Sequence, residues 1–367
     1  MIVSFPHMGN CWVPLKTLFD KAGVPVIVPP KITQRTLSLA TKYSPEWACF
    51  PFKTILGNYI EALDRGADTL LGVAGPGLCR LGYYAKVHEE VLRSMGYRFD
   101  MPCFDWQERQ IAGLAAFLKE MLPGRSWPQI LGDIKHGLSQ VFLLDNTERR
   151  IHHLRPREIE KGAASCVWRS VPDRICAAHD GAALKRVRQE IEAELDAIQL
   201  DPDVQPMRVA FLGEFFTAVE PNSNMNVEEE LGKMGVEVTR HAYVSDWAKI
   251  WLFLEFFGLS HEEKVKQAAS PYLRHDVSGH SMQTLGETVL HSAEGFDGVI
   301  HIQPFTCTPE VVTQNLIHRV SREHNIPVLT MVIDEQTGRA GVMTRLEAFV
   351  DLMRRRRLRR ARTLKAG

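Results

Sequence analysis

Two widely separated stretches of the chain share one pattern: an acidic turn, an apolar run and then a cysteine. Gly66-Ala67-Asp68-Thr69-Leu70-Leu71 leads on to Cys79, and Gly295-Phe296-Asp297-Gly298-Val299-Ile300 leads on to Cys307. Each apolar run reads as a buried parallel strand, and each cysteine falls just past its carboxyl end, where open α/β sheets place their ligands. The pattern extends upstream. Met1 to Phe5 reads as a strand, Leu15 to Lys21 as a helix and Gly23 to Val26 as a second strand; Arg208 to Leu212, Val227 to Lys233 and Gly235 to Val238 repeat that order. Alternating strands and helices of this kind predict α/β architecture, with doubly wound parallel sheets in two domains.

The expected division is residues 1–104 and 206–353 as α/β domains, 105–205 as a helical linking subdomain between them, and 354–367 as a basic tail. Within the linking segment, Gln107 to Leu122 and Ala182 to Ile198 carry apolar residues at helical spacing. A helical insert over 261–293 interrupts the second α/β domain. It contains His275, His280 and His291, whose spacing is not the i, i+4 pair of a helical metal site; solvent exposure is expected for them. The 367 residues suit two domains, and the apolar runs are too short to cross a membrane. Met1 leads straight into a strand with no signal-like segment before it, so a cytoplasmic location is expected.

Seven cysteines, an odd number, argue for reduced thiols rather than a disulfide framework. Cys103, Cys166 and Cys176 fall outside the strand-end pattern and read as ordinary core or surface thiols. Cys49 opens a helix flanked by prolines and aromatics, where free amide donors stabilise a thiolate. Cys11 follows the first strand and is a candidate fourth thiolate or a loop residue. Zinc held by Cys49, Cys79, Cys307 and a histidine would use the same residues but lacks the short-spaced pairs of structural zinc sites.

Three motifs together, Cys49-Phe50-Pro51-Phe52-Lys53, Gly75-Pro76-Gly77-Leu78-Cys79-Arg80-Leu81-Gly82-Tyr83-Tyr84, and Phe296 to His301 leading into Pro304-Phe305-Thr306-Cys307-Thr308-Pro309-Glu310, carry a resemblance. The chain resembles the 2-hydroxyacyl-CoA dehydratase D-component family, and more closely its acyl-CoA dehydratase activase-related branch, from Phe5 to about Leu352. The resemblance implies two flavodoxin-like α/β domains facing each other across a cleft. It also implies an iron–sulfur cluster of the 4Fe-4S type, with Cys49, Cys79 and Cys307 as matching ligands. Three cysteines would leave one iron open, whereas Cys11 as a fourth would suit a closed electron-transfer centre.

In such dehydratases an ATP-dependent activase delivers one electron to the cluster, in the low-potential reductive chemistry of anaerobic metabolism. The implied partners are that activase or another electron donor, an acyl-CoA-like substrate, and further subunits of a homo- or hetero-oligomer. The rival reading is a non-enzymatic electron relay or accessory scaffold with a closed four-cysteine cluster. No G-x-x-x-x-G-K-[ST] loop is present, so the ATPase would be a separate protein. Gly75 and Gly77 would let the backbone wrap closely beside Cys79. Lys53 and Arg80 could offset cluster charge or attract a carboxylate or phosphate, and are otherwise solvated helix charges. His7 and His301 occupy comparable strand ends and are candidates for an open coordination position or for proton delivery. Trp12, Trp47, Phe50, Phe52, Tyr83 and Phe305 are candidates for an apolar wall, and Glu310 for a charge complementing the dipole of a helix from Pro309 to His324.

The tail from Arg354 to Lys365 holds eight basic residues and no acidic one. Without it the 44 basic residues fall to 36 against 44 acidic ones. That segregation could serve an acidic partner or ligand phosphates, but no aromatic platform or recognition motif accompanies it, so a solvated helix extension and no nucleic-acid partner are expected.

Overall fold

The computed structural model describes residues 1–72, 79–103, 111–249 and 261–366. It is α/β, with parallel pairing in both of its sheets. The chain divides into two compact units: Met1–Leu144 with Pro172–Arg188 and Val277–Gly279, and Asp145–Val171 with Gln189–Asp276 and His280–Gly367. Gly75 and Gly77, and the start of the helix expected from Gln107, lie outside the described residues.

The first unit runs β1 (Val3–Ser4), α1 (Trp12–Lys21), α2 (Gln34–Tyr43), α3 (Phe50–Asp64), β2 (Thr69–Leu70), a 3-10 turn (Arg80–Tyr83), α4 (Tyr84–Ser94) and α5 (Ile111–Met121). Helices α6 (Trp127–Leu154), α7 (Ala163–Cys176) and α8 (Gly181–Asp196) each contribute residues to both units. β1 and β2 pair in parallel, and the ribbon widens by single bridges, Val3 with Val26 on one side and Thr69 with Asp100 and Gly72 with Cys103 on the other. The strand expected at Gly23 to Val26 is therefore reduced to one bridge. Pro25 and Pro102 precede the bridging residues and Pro6 follows the first strand; having no N–H to give, prolines shorten the ladder, although Val3 and Gly72 still donate to the carbonyls of Pro25 and Pro102 at 2.9 Å. Below this ribbon, Val3, Phe19, Val24, Met121, Leu122 and Ile130 form a buried cluster.

α3 is the spine of the first unit. Every residue from Phe50 to Leu63 is buried, including Lys53, Asn58 and Glu61. A helix apolar nearly all round has no solvent face to offer, so its polar groups must be satisfied internally. Asn58 accepts from the His7 backbone N–H at 3.2 Å, Tyr59 donates to the Leu71 carbonyl at 2.6 Å, and Glu61 accepts from Thr36 at 2.7 Å. The first two bonds fasten α3 to the segments that follow β1 and β2, and the third fastens it to α2.

The second unit carries β3 (Met207–Gly213), α9 (Phe215–Val219), α10 (Val227–Lys233), β4 (Val236–Arg240), α11 (Val244–Lys249), α12 (His261–Ala269), α13 (Ser281–Ala293), β5 (Gly298–Pro304), α14 (Thr308–Glu323), β6 (Val328–Ile333) and α15 (Arg339–Ala366). Its sheet has the order β4-β3-β5-β6, all parallel. The first unit repeats that order with Val26, β1, β2 and the Asp100–Cys103 segment. β5 is buried along its whole length, as expected of a central parallel strand. Among the described residues no helix is long and apolar enough to cross a membrane.

At the end of β3 the chain turns through Gly213, at φ 130°. A Cβ built there would lie 2.0 Å from the Ile302 carbonyl oxygen, so only glycine allows β3 and β5 to approach so closely before separating. Gly213→Ala should destabilise the protein by about 2 kcal/mol or more. Gly235→Ala, at φ 80° with open space around it, should cost only about 1 kcal/mol. Urea unfolding of the two variants checks the ordering; equal losses would show that the approach of the two strands is not the constraint.

Candidate functional site

Parallel strands feeding helices bring helix amino termini to the carboxyl edge of a sheet. In the first unit the residue immediately before α1 is Cys11, before α3 is Cys49, and before the 3-10 turn that leads into α4 is Cys79. Cys49 holds extended backbone, φ −73° and ψ 162°, and Pro51 in the first turn of α3 costs no hydrogen bond there. Cys49 is buried, Cys11 and Cys79 half-buried. The loops of Cys49 and Cys79 are tied together: Arg80 Nη1 donates to the Trp47 carbonyl at 2.6 Å, and Cys49 Sγ contacts the Tyr84 hydroxyl.

Beneath them lies a ring-rich core. His88 stacks on Phe52 with centroids 4.0 Å apart and meets Tyr59 and Tyr84 edge-on. Its Nε2 lies 3.0 Å from the Phe52 carbonyl, whereas Nδ1 is buried without a hydrogen-bond partner among the described residues. Burial pushes the imidazole pKa down to about 3, only partly opposed by the carbonyl. This ring is therefore neutral at physiological pH, with Nε2 as the donor.

In the second unit Cys307 immediately precedes α14, which has a proline in its first turn, and is buried. Thr306 before it adopts a left-handed φ of 63°. Across the β3–β5 gap, Glu214 caps α9, accepting from the backbone N–H groups of Phe216 and Thr217, both at 2.9 Å. Burial raises the Glu214 carboxyl pKa; those amides lower it, and the charge of Glu310 raises it further. His301 on β5 is fully buried, with Nε2 2.8 Å from Glu310 Oε2 and Nδ1 3.3 Å from Thr330 Oγ1. Glu310 lies in the first turn of α14 as expected, but it is buried against His301, and its Oε1 has no hydrogen-bond partner among the described residues. β4 lies beyond β3, and β6 beyond β5, so the order of the sheet reverses between β3 and β5. That is the topological switch point of an open α/β sheet, the usual position of a ligand. Gly213, Glu214, His301, Thr306, Cys307 and Glu310 surround it.

Lys53 is 6% exposed rather than a solvated helix charge, while Arg80 is half-buried over the Trp47 ring. His7 is buried at the end of β1. Phe50 and Phe52 belong to the core, but Trp47, Tyr83 and Phe305 are 53%, 75% and 52% exposed and do not form an apolar wall within their units. His275 is exposed as expected; His280 stacks on Phe215, and His291 is buried. The tail is not simply solvated. Arg354 donates to the Met234 carbonyl, Arg356 and Arg360 to that of Asn325, and Arg357 to that of Gln205. These carbonyls precede β4, β6 and β3, so the arginines hold the amino edge of the sheet, opposite Cys307.

Two side-chain groups of the second unit escaped the sequence reading. Glu148, His152 and Glu228 converge in the interior, where Arg240 pairs with Glu148 and, at 2.9 Å, with Glu228. Burial raises the Glu228 carboxyl pKa to about 7 in spite of Arg240. The other group is His241, His261 and Glu287, whose donor atoms lie within 4.8 Å of one another. Its one sequence signal is the i, i+4 pair of Glu287 and His291; His241 and His261 come from distant segments. Neither group contains a cysteine. No family model and no curated protein matches the chain.

Because His88 takes up a proton near pH 6.5 when unfolded but only near pH 3 when folded, its neutral burial stabilises the protein above pH 6.5. That stability is lost as the pH falls through the interval. Between pH 6.5 and 5.0 this group alone should remove up to about 2 kcal/mol. His88→Phe should shrink the pH-dependent loss by a comparable amount while costing about 1 kcal/mol at neutral pH for the missing donor. Urea titrations of both proteins at the two pH values test this; an unchanged acid loss in the variant would show that His88 is not its source.

Proposed function

We propose that this chain is an iron–sulfur protein of the 2-hydroxyacyl-CoA dehydratase D-component type, built on two flavodoxin-like domains. Cys49, Cys79 and Cys307 are its thiolate ligands and Cys11 is the candidate fourth. The observation that carries the reading is positional: each of these four cysteines immediately precedes a helix or the 3-10 turn leading into one. Unpaired amide N–H groups at a helix start favour thiolate over thiol and donate to metal-bound sulfur. Cys166 and Cys176 hold no such position, lying within α7, and Cys103 lies at a β-bridge.

The strand order shared by the two units, with a central strand flanked on both sides, supports the flavodoxin-like reading and places Cys307 beside a switch point. The donor set fits the cofactor, since thiolates are the usual ligands of iron–sulfur clusters. When bound, such a cluster supplies one-electron transfer at low potential. The chain's own residues do the rest. Phe50, Phe52 and the rest of buried α3 exclude water behind Cys49, and the Tyr84 hydroxyl offers a hydrogen bond to its sulfur; both raise or lower a cluster potential through dielectric and donor count. Buried Lys53 and half-buried Arg80 offset the negative charge of a thiolate set. His301 and Glu310 form a hydrogen-bonded pair on the strand and helix that flank Cys307 in sequence. An ATP-dependent activase or another donor would supply electrons, and an acyl-CoA-like thioester is the substrate class; with Cys11 as a fourth ligand the same centre would serve as a closed relay.

Anaerobically purified protein should contain iron and acid-labile sulfide and show an electron paramagnetic resonance signal on reduction. Cys49→Ser, Cys79→Ser and Cys307→Ser should each lower iron content several-fold, whereas Cys166→Ser should not. Cys11→Ser separates the two versions, lowering iron only if the cluster is closed. Unchanged iron in the three principal variants would remove the reading.

A further inference from the structure

We propose that His241, His261 and Glu287 form a second metal site, separate from the cysteines, for a divalent first-row transition-metal ion of the zinc(II) or iron(II) kind. The three donors come from three elements of one unit: His241 follows the last residue of β4, His261 is the first residue of α12, and Glu287 lies in the middle of α13. Their convergence has a backbone cause. At Gly286, next to the carboxylate, α12 and α13 approach so closely that an added Cβ would lie 2.2 Å from the Val265 carbonyl oxygen. The His241 N–H extends the sheet by bonding the Phe211 carbonyl at 3.3 Å, which fixes the third donor.

Glu287 Oε1 lies 3.1 Å from His241 Nδ1 and 2.6 Å from His261 Nε2. Around a tetrahedral ion with ligand bonds near 2.0–2.2 Å, neighbouring donors stand about 3.3 Å apart. Both imidazoles thus already stand near ligand spacing from the carboxylate, all three donors lie within 4.8 Å of one another, and small side-chain rotations would open room for the ion. Two imidazoles and one carboxylate are the protein ligands of many catalytic zinc sites and of non-haem iron(II) centres, in both cases with positions left for water or substrate.

Support for the carboxylate is also in place. The other oxygen of Glu287 lies 3.4 Å from His291 Nε2, one helical turn on, and His291 Nδ1 is 3.3 Å from Glu294. A carboxylate–imidazole–carboxylate chain of this kind orients a metal ligand from behind. Glu287 is 2% exposed while His261 is 64% exposed, so the carboxylate is walled in and the ion has an entry from solvent. One carboxylate meeting three imidazoles holds more nitrogen than a simple ion pair requires.

Cobalt(II) is the suitable probe, because its absorption distinguishes ligand types: imidazole and carboxylate ligands give visible d–d bands, and thiolates add intense near-ultraviolet charge-transfer bands. The full chain carrying Cys49→Ser, Cys79→Ser and Cys307→Ser should still take up one equivalent of cobalt(II), with d–d bands and no thiolate band. In that background His261→Ala and Glu287→Gln should each weaken binding at least tenfold, and His291→Gln should weaken it to a smaller extent. His261 is exposed at a helix start, so its variant keeps the fold, which circular dichroism verifies. No saturable uptake, or uptake indifferent to both His261→Ala and Glu287→Gln, would overturn the site.

Discussion

The direction of a parallel strand decides where this protein can do chemistry. Once strands run the same way, every connection returns over a face, and the helix that follows a strand starts at the carboxyl edge. That edge collects exposed N–H groups and partial positive charge. Cys307, Glu214 and the switch point of the four-stranded sheet lie there, and in the first unit so do Cys11 and Cys79. The opposite edge is held by different chemistry: in the second unit, arginines of α15 bond to the carbonyls of Met234, Asn325 and Gln205 ahead of three strands. Basic charge and the Cys307 thiol are thus placed at opposite ends of the same sheet.

The interior tolerates an unusual amount of buried charge because most of it is paired. Arg240 holds both Glu148 and Glu228, donates to the Ala242 carbonyl at 2.8 Å and sits over the Tyr243 ring. Burial works against its charge, but the two carboxylates outweigh that and keep it protonated. Removing one member of such a network leaves the others desolvated, at a cost of about 3–5 kcal/mol. Glu310 is held by a single partner: one oxygen meets His301, and the other, like Glu228 Oε1, has no hydrogen-bond partner among the described residues.

Elements whose signal is local were legible in the sequence. The apolar run and acidic turn before Cys307 gave β5, the spacing from Val227 to Lys233 gave α10 with the same bounds, and Cys49 gave the start of α3. Where pairing depends on partners, legibility fell: Pro6, Pro25 and Pro102 cut the first unit's ribbon to two-residue strands and single bridges, although its strand order matches that of the second unit. The burial of Lys53 was hidden because its neighbours on α3 look like one face of a surface helix when they in fact line every face. The histidine cluster was hidden for a different reason. His261 and Glu287 come together where Gly286 admits a neighbouring backbone, and His241 is brought to them by the sheet; neither approach has a trace in spacing.

The most direct test of the central claim is iron K-edge X-ray absorption on anaerobically isolated protein, which reads the atoms around the metal rather than its amount. The account predicts sulfur neighbours and a short iron–iron shell, both lost when Cys49 or Cys307 is replaced by serine. Iron surrounded only by nitrogen and oxygen, with no second iron nearby, would contradict it.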